Sequence, residues 1–168
     1  MALTDFRLTL GIALVAMSFL CLGPARAAEF RSVGDAPAIA YDAPSAKARK
    51  LFVASRDYPI EVIVNIEGWV KVRDAAGDLF WLEKKALSER RMLLVTVPQA
   101  EVRQTPDDSA AVVFRAQTGV VLEWQDPSVS ATGAMPAASA ASVMSGWVRV
   151  RHRDGSQGFV RASQVWGL

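Results

Sequence analysis

The sequence predicts an all-β protein: two small β-barrels in tandem behind a cleavable N-terminal leader. Three observations carry this. The 168-residue chain opens on an uncharged apolar run that closes at a small-residue cleavage pattern. The remainder is written twice, each half aligning with the other. Each copy alternates short apolar runs with turn residues and contains no long amphipathic helix.

The leader comes first. Arg7 precedes an uncharged run over residues 8–23, 16 residues long. A bilayer-spanning helix needs about 20. The run ends at Gly23-Pro24, followed by Ala25-Arg26-Ala27, an A-x-A pattern that predicts cleavage after Ala27. The one cysteine, Cys21, follows the bulky Leu20 and fits a lipid-attachment site poorly. Cleavage removes it, so the expected mature chain has no disulfide. No later run is long and apolar enough to span a membrane. These features predict a periplasmic or secreted protein.

The repeat sets the domain plan. A shift of 62 positions brings Pro44 onto Pro106, Ala48 onto Ala110, Phe52 onto Phe114, Ala54 onto Ala116 and Glu61 onto Glu123. Farther on the shift becomes 78, and Gly68-Trp69-Val70-Lys71-Val72-Arg73 faces Gly146-Trp147-Val148-Arg149-Val150-Arg151. Gly77 then falls on Gly155 and Trp81 on Phe159. The second copy therefore carries 16 extra residues within 126–145, an Ala/Ser-rich stretch with two prolines that reads as a flexible loop. The expected domains are 28–88 and 92–168. Units this small are marginal alone, and the bridge over 88–92 is short, so the copies are expected to pack together.

Strand signals follow in chain order. Tyr58, Ile60 and Val62 alternate with Pro59, Glu61 and Ile63; Val120, Leu122 and Trp124 repeat the rhythm. In the Gly-Trp-Val stretches, Val70 and Val72 must face the core, which puts Trp69, Lys71 and Arg73 on the opposite side. Trp147, Arg149 and Arg151 do the same in copy two. The turns Ala76-Gly77-Asp78 and Asp154-Gly155-Ser156 close hairpins onto strands near Phe80 and Phe159. Many short strands with regular turns mean a small barrel.

The paired Gly-Trp-Val-Lys/Arg-Val motifs, each followed by a Gly turn and an aromatic-aliphatic pair, resemble the bacterial SH3 domain, in tandem. The arrangement from Phe30-Arg31-Ser32-Val33-Gly34-Asp35 to Gln164-Val165-Trp166-Gly167 looks like the exported two-domain type of Gram-negative bacteria. The resemblance implies a binding module for peptidoglycan, its peptide segments or an envelope protein. It places a groove between the first long loop and the loop before Gly68 or Gly146. The insertion falls in the second of these loops in copy two, so the two grooves should differ.

Candidate binding residues are Trp69 and Trp147, whose flat rings suit a sugar face or a peptide backbone and equally suit an interface between the barrels. Tyr41, Trp81 and Phe159 are further aromatic candidates that could instead complete the packing. Lys71, Arg73, Arg149 and Arg151 could attract carboxylates, or stand solvated on their strands. Trp124 shares an apolar strand face and reads as core.

Chemistry is limited by composition. There is one His, His152, beside a turn, so no His/Cys metal site, cofactor or zinc-dependent hydrolysis is expected. A Cys–His pair is lost with the leader, and no G-x-S-x-G elbow occurs. No catalytic residue is expected. A formal charge of +2 on an exported chain argues against nucleic acid. The expected role is non-catalytic recognition of peptidoglycan or its stems in the cell envelope, or alternatively a protein-interaction adaptor or structural partner.

Overall fold

The computed structural model describes residues 28–125 and 146–168. The leader and the predicted insertion lie outside them. The described chain is all-β, with fourteen strands and two single-turn 3-10 segments among those residues.

The first copy holds β1 (Glu29–Val33), β2 (Ala38–Tyr41), β3 (Lys50–Ala54), β4 (Pro59–Ile66), β5 (Trp69–Arg73), β6 (Leu79–Glu83) and β7 (Leu87–Ser88). The second holds β8 (Met92–Val95), β9 (Gln99–Arg103), β10 (Val112–Gln117), β11 (Val121–Trp124), β12 (Trp147–Arg151), β13 (Gln157–Arg161) and β14 (Val165–Trp166). The strand orders are β3-β2-β6-β5-β4-β1-β7 and β10-β9-β13-β12-β11-β8-β14, the same topology twice. Each 3-10 turn, Lys84–Ala86 or Ala162–Gln164, carries the chain into the short closing strand.

Irregularities recur too. β2 and β3 slip register between Ala40 and Tyr41, leaving Leu51 as a bulge; β9 and β10 do so at Val113, 62 positions later. Gly77 and Gly155 share a φ of 93° in the equivalent turns, a left-handed backbone that glycine adopts without cost.

The alternation predicted in the Gly-Trp-Val stretches is present. Val70 and Val72, and Val148 and Val150, are buried in the two cores. One core gathers Val33, Ala40, Ile60, Phe80 and Leu82; the other gathers Val95, Val102, Leu122 and Val160. Equivalent positions differ where volume is exchanged. Ala40 and Phe80 of the first barrel correspond to Val102 and Gly158 of the second. A Cβ at Gly158 would lie 2.6 Å from the Arg103 carbonyl oxygen and 2.7 Å from Val102 Cγ1. β13 thus approaches β9 too closely for any side chain there, while β6 accepts a phenylalanine that meets Phe52 edge-on at 4.9 Å.

The barrels are joined by Glu89, Arg90 and Arg91, and the two guanidinium groups have different partners. Arg90 pairs with Asp35 and Asp57 of the first barrel at 2.7 and 2.8 Å, and its carbonyl accepts the hydroxyl of fully buried Ser32. Arg91 lies over Trp124, 4.7 Å from the ring centroid, and donates to the Gly167 carbonyl at 3.0 Å. It also stands 5.8 Å from the Phe30 centroid, and Phe30 meets Trp166 edge-on at 5.1 Å. Gly167 closes the joint: a Cβ there would lie 2.7 Å from the Met92 carbonyl and 3.4 Å from Pro59 of the first barrel.

Candidate functional site

Each barrel has an outer face on the three strands opposite its core. In the first, these strands are β2, β6 and β5. Cross-strand pairing sets Tyr41 against Trp81, Trp81 against Lys71, and Trp69 against Glu83. Tyr41 and Trp69 meet edge-on, with centroids 5.2 Å apart. Tyr41 is buried, 4% exposed, whereas Trp69, Lys71 and Trp81 are half-buried and lie outside the hydrophobic cluster of the barrel. The lysine that follows on the 3-10 turn, Lys85, pairs with Glu83 at 2.6 Å. The hydrogen bond that the Lys85 ammonium donates to Glu83 holds its pKa above the ordinary value. This is an aromatic shelf with a neutralised charge at its rim.

The matching face of the second barrel has the same geometry and different chemistry. Arg103 stands where Tyr41 does, Phe159 for Trp81, Arg149 for Lys71 and Arg161 for Glu83. Trp147 is only 3% exposed because the Arg161 guanidinium lies over it, 4.3 Å from the centroid. Arg161 also pairs with Asp108, and Arg103 with Glu101. Trp147, Arg161, Arg103, Asp108 and Gln99 border a hollow of about 300 Å³.

Trp69 and Trp147 thus contact partners within their own barrels, and the joint between barrels is built from Phe30, Trp124 and Trp166 instead. Arg73 and Arg151 share the strand face of these tryptophans but are held by carboxylates of the next strand. Arg73 is fastened to Glu61 and Arg151 to Glu123, each through two guanidinium nitrogens on one carboxylate oxygen. Arg149 donates to Gln157 at 3.1 Å.

The bacterial SH3 domain family matches residues 34–89 and 140–167, one segment in each copy. The chain belongs to the bacterial SH3 domain family. No curated protein matches the sequence. Among solved structures, the NlpC1 protein of Trichomonas vaginalis is 15% identical with a TM-score of 0.35, over 85% of this chain and 47% of its own. The NlpC2 protein of the same organism is 14% identical, TM-score 0.35, covering 83% and 48%. An NlpC/P60 family protein from Bacillus cereus is 13% identical, TM-score 0.34, covering 82% and 56%. This chain therefore spans about half the length of each of them.

The two SH3 barrels enclose a third feature that sequence reasoning missed. A cleft of about 960 Å³ lies between them, with Arg56, Arg90, Arg151 and Arg153 on its walls. Arg56 and Arg153 sit in turns of different copies, more than 90 positions apart, and no periodicity links them. The available signal was the repeat itself: their counterparts, Thr118 and Ala75, are uncharged. Among the described residues, no cluster of three or more His, Cys, Asp or Glu could hold a metal ion, and no helix is long and apolar enough to cross a membrane.

Proposed function

We propose that this protein is an exported, non-catalytic binding module of the cell envelope that recognises peptidoglycan or its peptide stems through the outer faces of its two SH3 barrels. The observation that carries this reading is the aromatic shelf of Tyr41, Trp69 and Trp81, in which buried Tyr41 backs the half-buried rings of Trp69 and Trp81 on the face turned away from the core valines. Flat, pre-set aromatics bind sugar faces and peptide backbones at small entropic cost. In the second barrel, Trp147 under Arg161 suits a carboxylate-bearing stem, since a guanidinium held on a ring keeps its donors in place. The leader supports export. Membership of the bacterial SH3 family supports binding rather than catalysis.

The test is sedimentation of the chain with purified, protein-free peptidoglycan. Saturable binding is expected, with Trp69→Ala weakening it by about tenfold or more and Arg161→Gln weakening it less. Trp147→Ala is scored only if its circular dichroism matches the parent, because Trp147 is buried. Absence of sedimentation at moderate salt overturns the reading and favours the adaptor role.

A further inference from the structure

Of the features outside the two aromatic faces, the cleft between the barrels carries an inference furthest. Its walls hold four guanidinium groups against two carboxylates, Asp57 and Glu123, and the His152 imidazole beside them is bonded to Asp154 at 3.0 Å. Both carboxylates are already engaged, Asp57 by Arg90 and Glu123 by Arg151. Arg56 and Arg153 are exposed and make no ion pair or side-chain hydrogen bond among the described residues. The cleft therefore presents uncompensated positive charge from both barrels at once.

The internal repeat provides a control. The Arg151–Glu123 pair recurs as Arg73–Glu61, outside the cleft, and is a structural element of the barrel. Arg56, His152 and Arg153 do not recur: Thr118, Asp74 and Ala75 occupy their positions, none of them on the cleft wall. Basic residues appear only in the copy whose turn faces the cleft.

Part of the remaining wall is apolar. It includes Val53, at 63% the most exposed of the large hydrophobic residues among those described, with Met92 and Val120 on the other barrel. Val53 lies on β3, the terminal strand of its sheet, whose outer backbone groups have no strand partner among the described residues. Free guanidinium groups, apolar wall and open strand edge together fit an extended chain with acidic and aliphatic side chains better than a small inorganic anion. The volume is of the order that holds several residues.

We propose that the cleft binds a short acidic peptide, with its carboxylates on Arg56 and Arg153 and an aliphatic side chain against Val53. This goes beyond the reading of the aromatic faces and does not depend on a wall ligand.

The experiment titrates the full chain with fluorescein-labelled acetyl-Glu-Val-Glu-Val-Glu-amide, followed by anisotropy and by amide shifts of the isotope-labelled protein. Saturable binding is expected, with shifts in the turns at Arg56 and Arg153. The Arg56→Gln/Arg153→Gln double variant should weaken it about tenfold, as loss of two charge-assisted contacts requires. Lys47→Gln/Arg49→Gln removes equal charge elsewhere and should change affinity less than about twofold. The proposal is overturned by absent saturation, by equal binding of the Gln-for-Glu peptide, by equal weakening in both double variants, or by shifts centred on Trp69 and Trp147. Displacement by inorganic phosphate at concentrations matching the peptide would likewise reduce the site to simple anion attraction. Sedimentation with peptidoglycan uses another ligand and other residues, so either result can fail without the other.

Discussion

The two barrels share topology, register slips and turn geometry, yet they manage their outer strand edges differently. In the first, Ile39 of β2 faces Val53 of β3, and both are exposed. In the second, the same two positions are Glu101 and Arg115, which form an ion pair at 3.2 Å. An apolar pair on a terminal strand invites another chain, whereas a charged pair discourages it. One fold has thus been given one open edge and one closed edge, at positions that leave both cores intact. Barrel structure and surface purpose are separable at the level of single cross-strand pairs.

The largest expected effect tests whether the cores are as interchangeable as their topology. Phe80→Ala should destabilise the first barrel by about 3–5 kcal/mol, read as loss of hydrogen-exchange protection in β1–β7 before β8–β14. Equal loss in both would show that the joint makes one cooperative unit. Gly158→Ala, at the matching position, should cost about 1–3 kcal/mol for the opposite reason, because its Cβ meets backbone oxygen. Val102→Ala should relieve it only in part, since the Arg103 carbonyl still blocks the space; full rescue would place the constraint in the side chain alone.

A smaller effect follows from transplanting the closed edge. Ile39→Glu with Val53→Arg should leave thermal stability within about 0.5 kcal/mol while reducing concentration-dependent association measured by light scattering. A large loss of stability would mean that the exposed pair serves the fold.

The smallest effect separates the barrels by acid. The Asp107 carboxyl pKa lies below its ordinary value because the Ser109 hydroxyl and amide donate to it; that of Asp154 is lowered by donors from Ser156 and then by His152. Their counterparts in the first copy are Ser45 and Ala76. A depressed folded-state pKa contributes stability that is complete above the ordinary carboxylate value of about 4 and is lost as pH falls through the folded-state value. Acid titration should therefore loosen these two turns of the second barrel first, followed by their amide exchange. Asp154→Ala should abolish the difference at its turn.

The fold was largely legible because strands announce themselves by alternation, and here the strands between Ala38 and Leu87 had a second copy to check against. Val70, Val72, Val148 and Val150 could be set inward from charge alone. The faces were half legible. Parity placed Trp69 and Trp147 outside the core, but only the register between β13 and β12 brings Arg161 over Trp147. That contact joins residues 14 positions apart, across a turn whose length the alternation does not encode. The cleft and the joint were not legible. Arg90 and Arg91 fall within the short bridge, and nothing in a one-dimensional pattern tells which barrel each will touch. Trp124, expected in the core, packs against it and also carries Arg91 on its free surface.

That divided bridge fixes more than contact. Arg90 is fastened to the first barrel, and Arg91 between Phe30 and Trp124, Phe30 against Trp166 and Gly167 beside Pro59 oppose the swivel that three linking residues would otherwise allow. The orientational freedom of the two barrels is surrendered during folding, once, inside a single chain. A polymer or peptide that touches both barrels meets a ruler of set length, and its second contact forms without a further loss of rotational entropy. The same rigidity makes the ruler selective: a repeating ligand whose spacing misses the set length gains nothing from the second barrel.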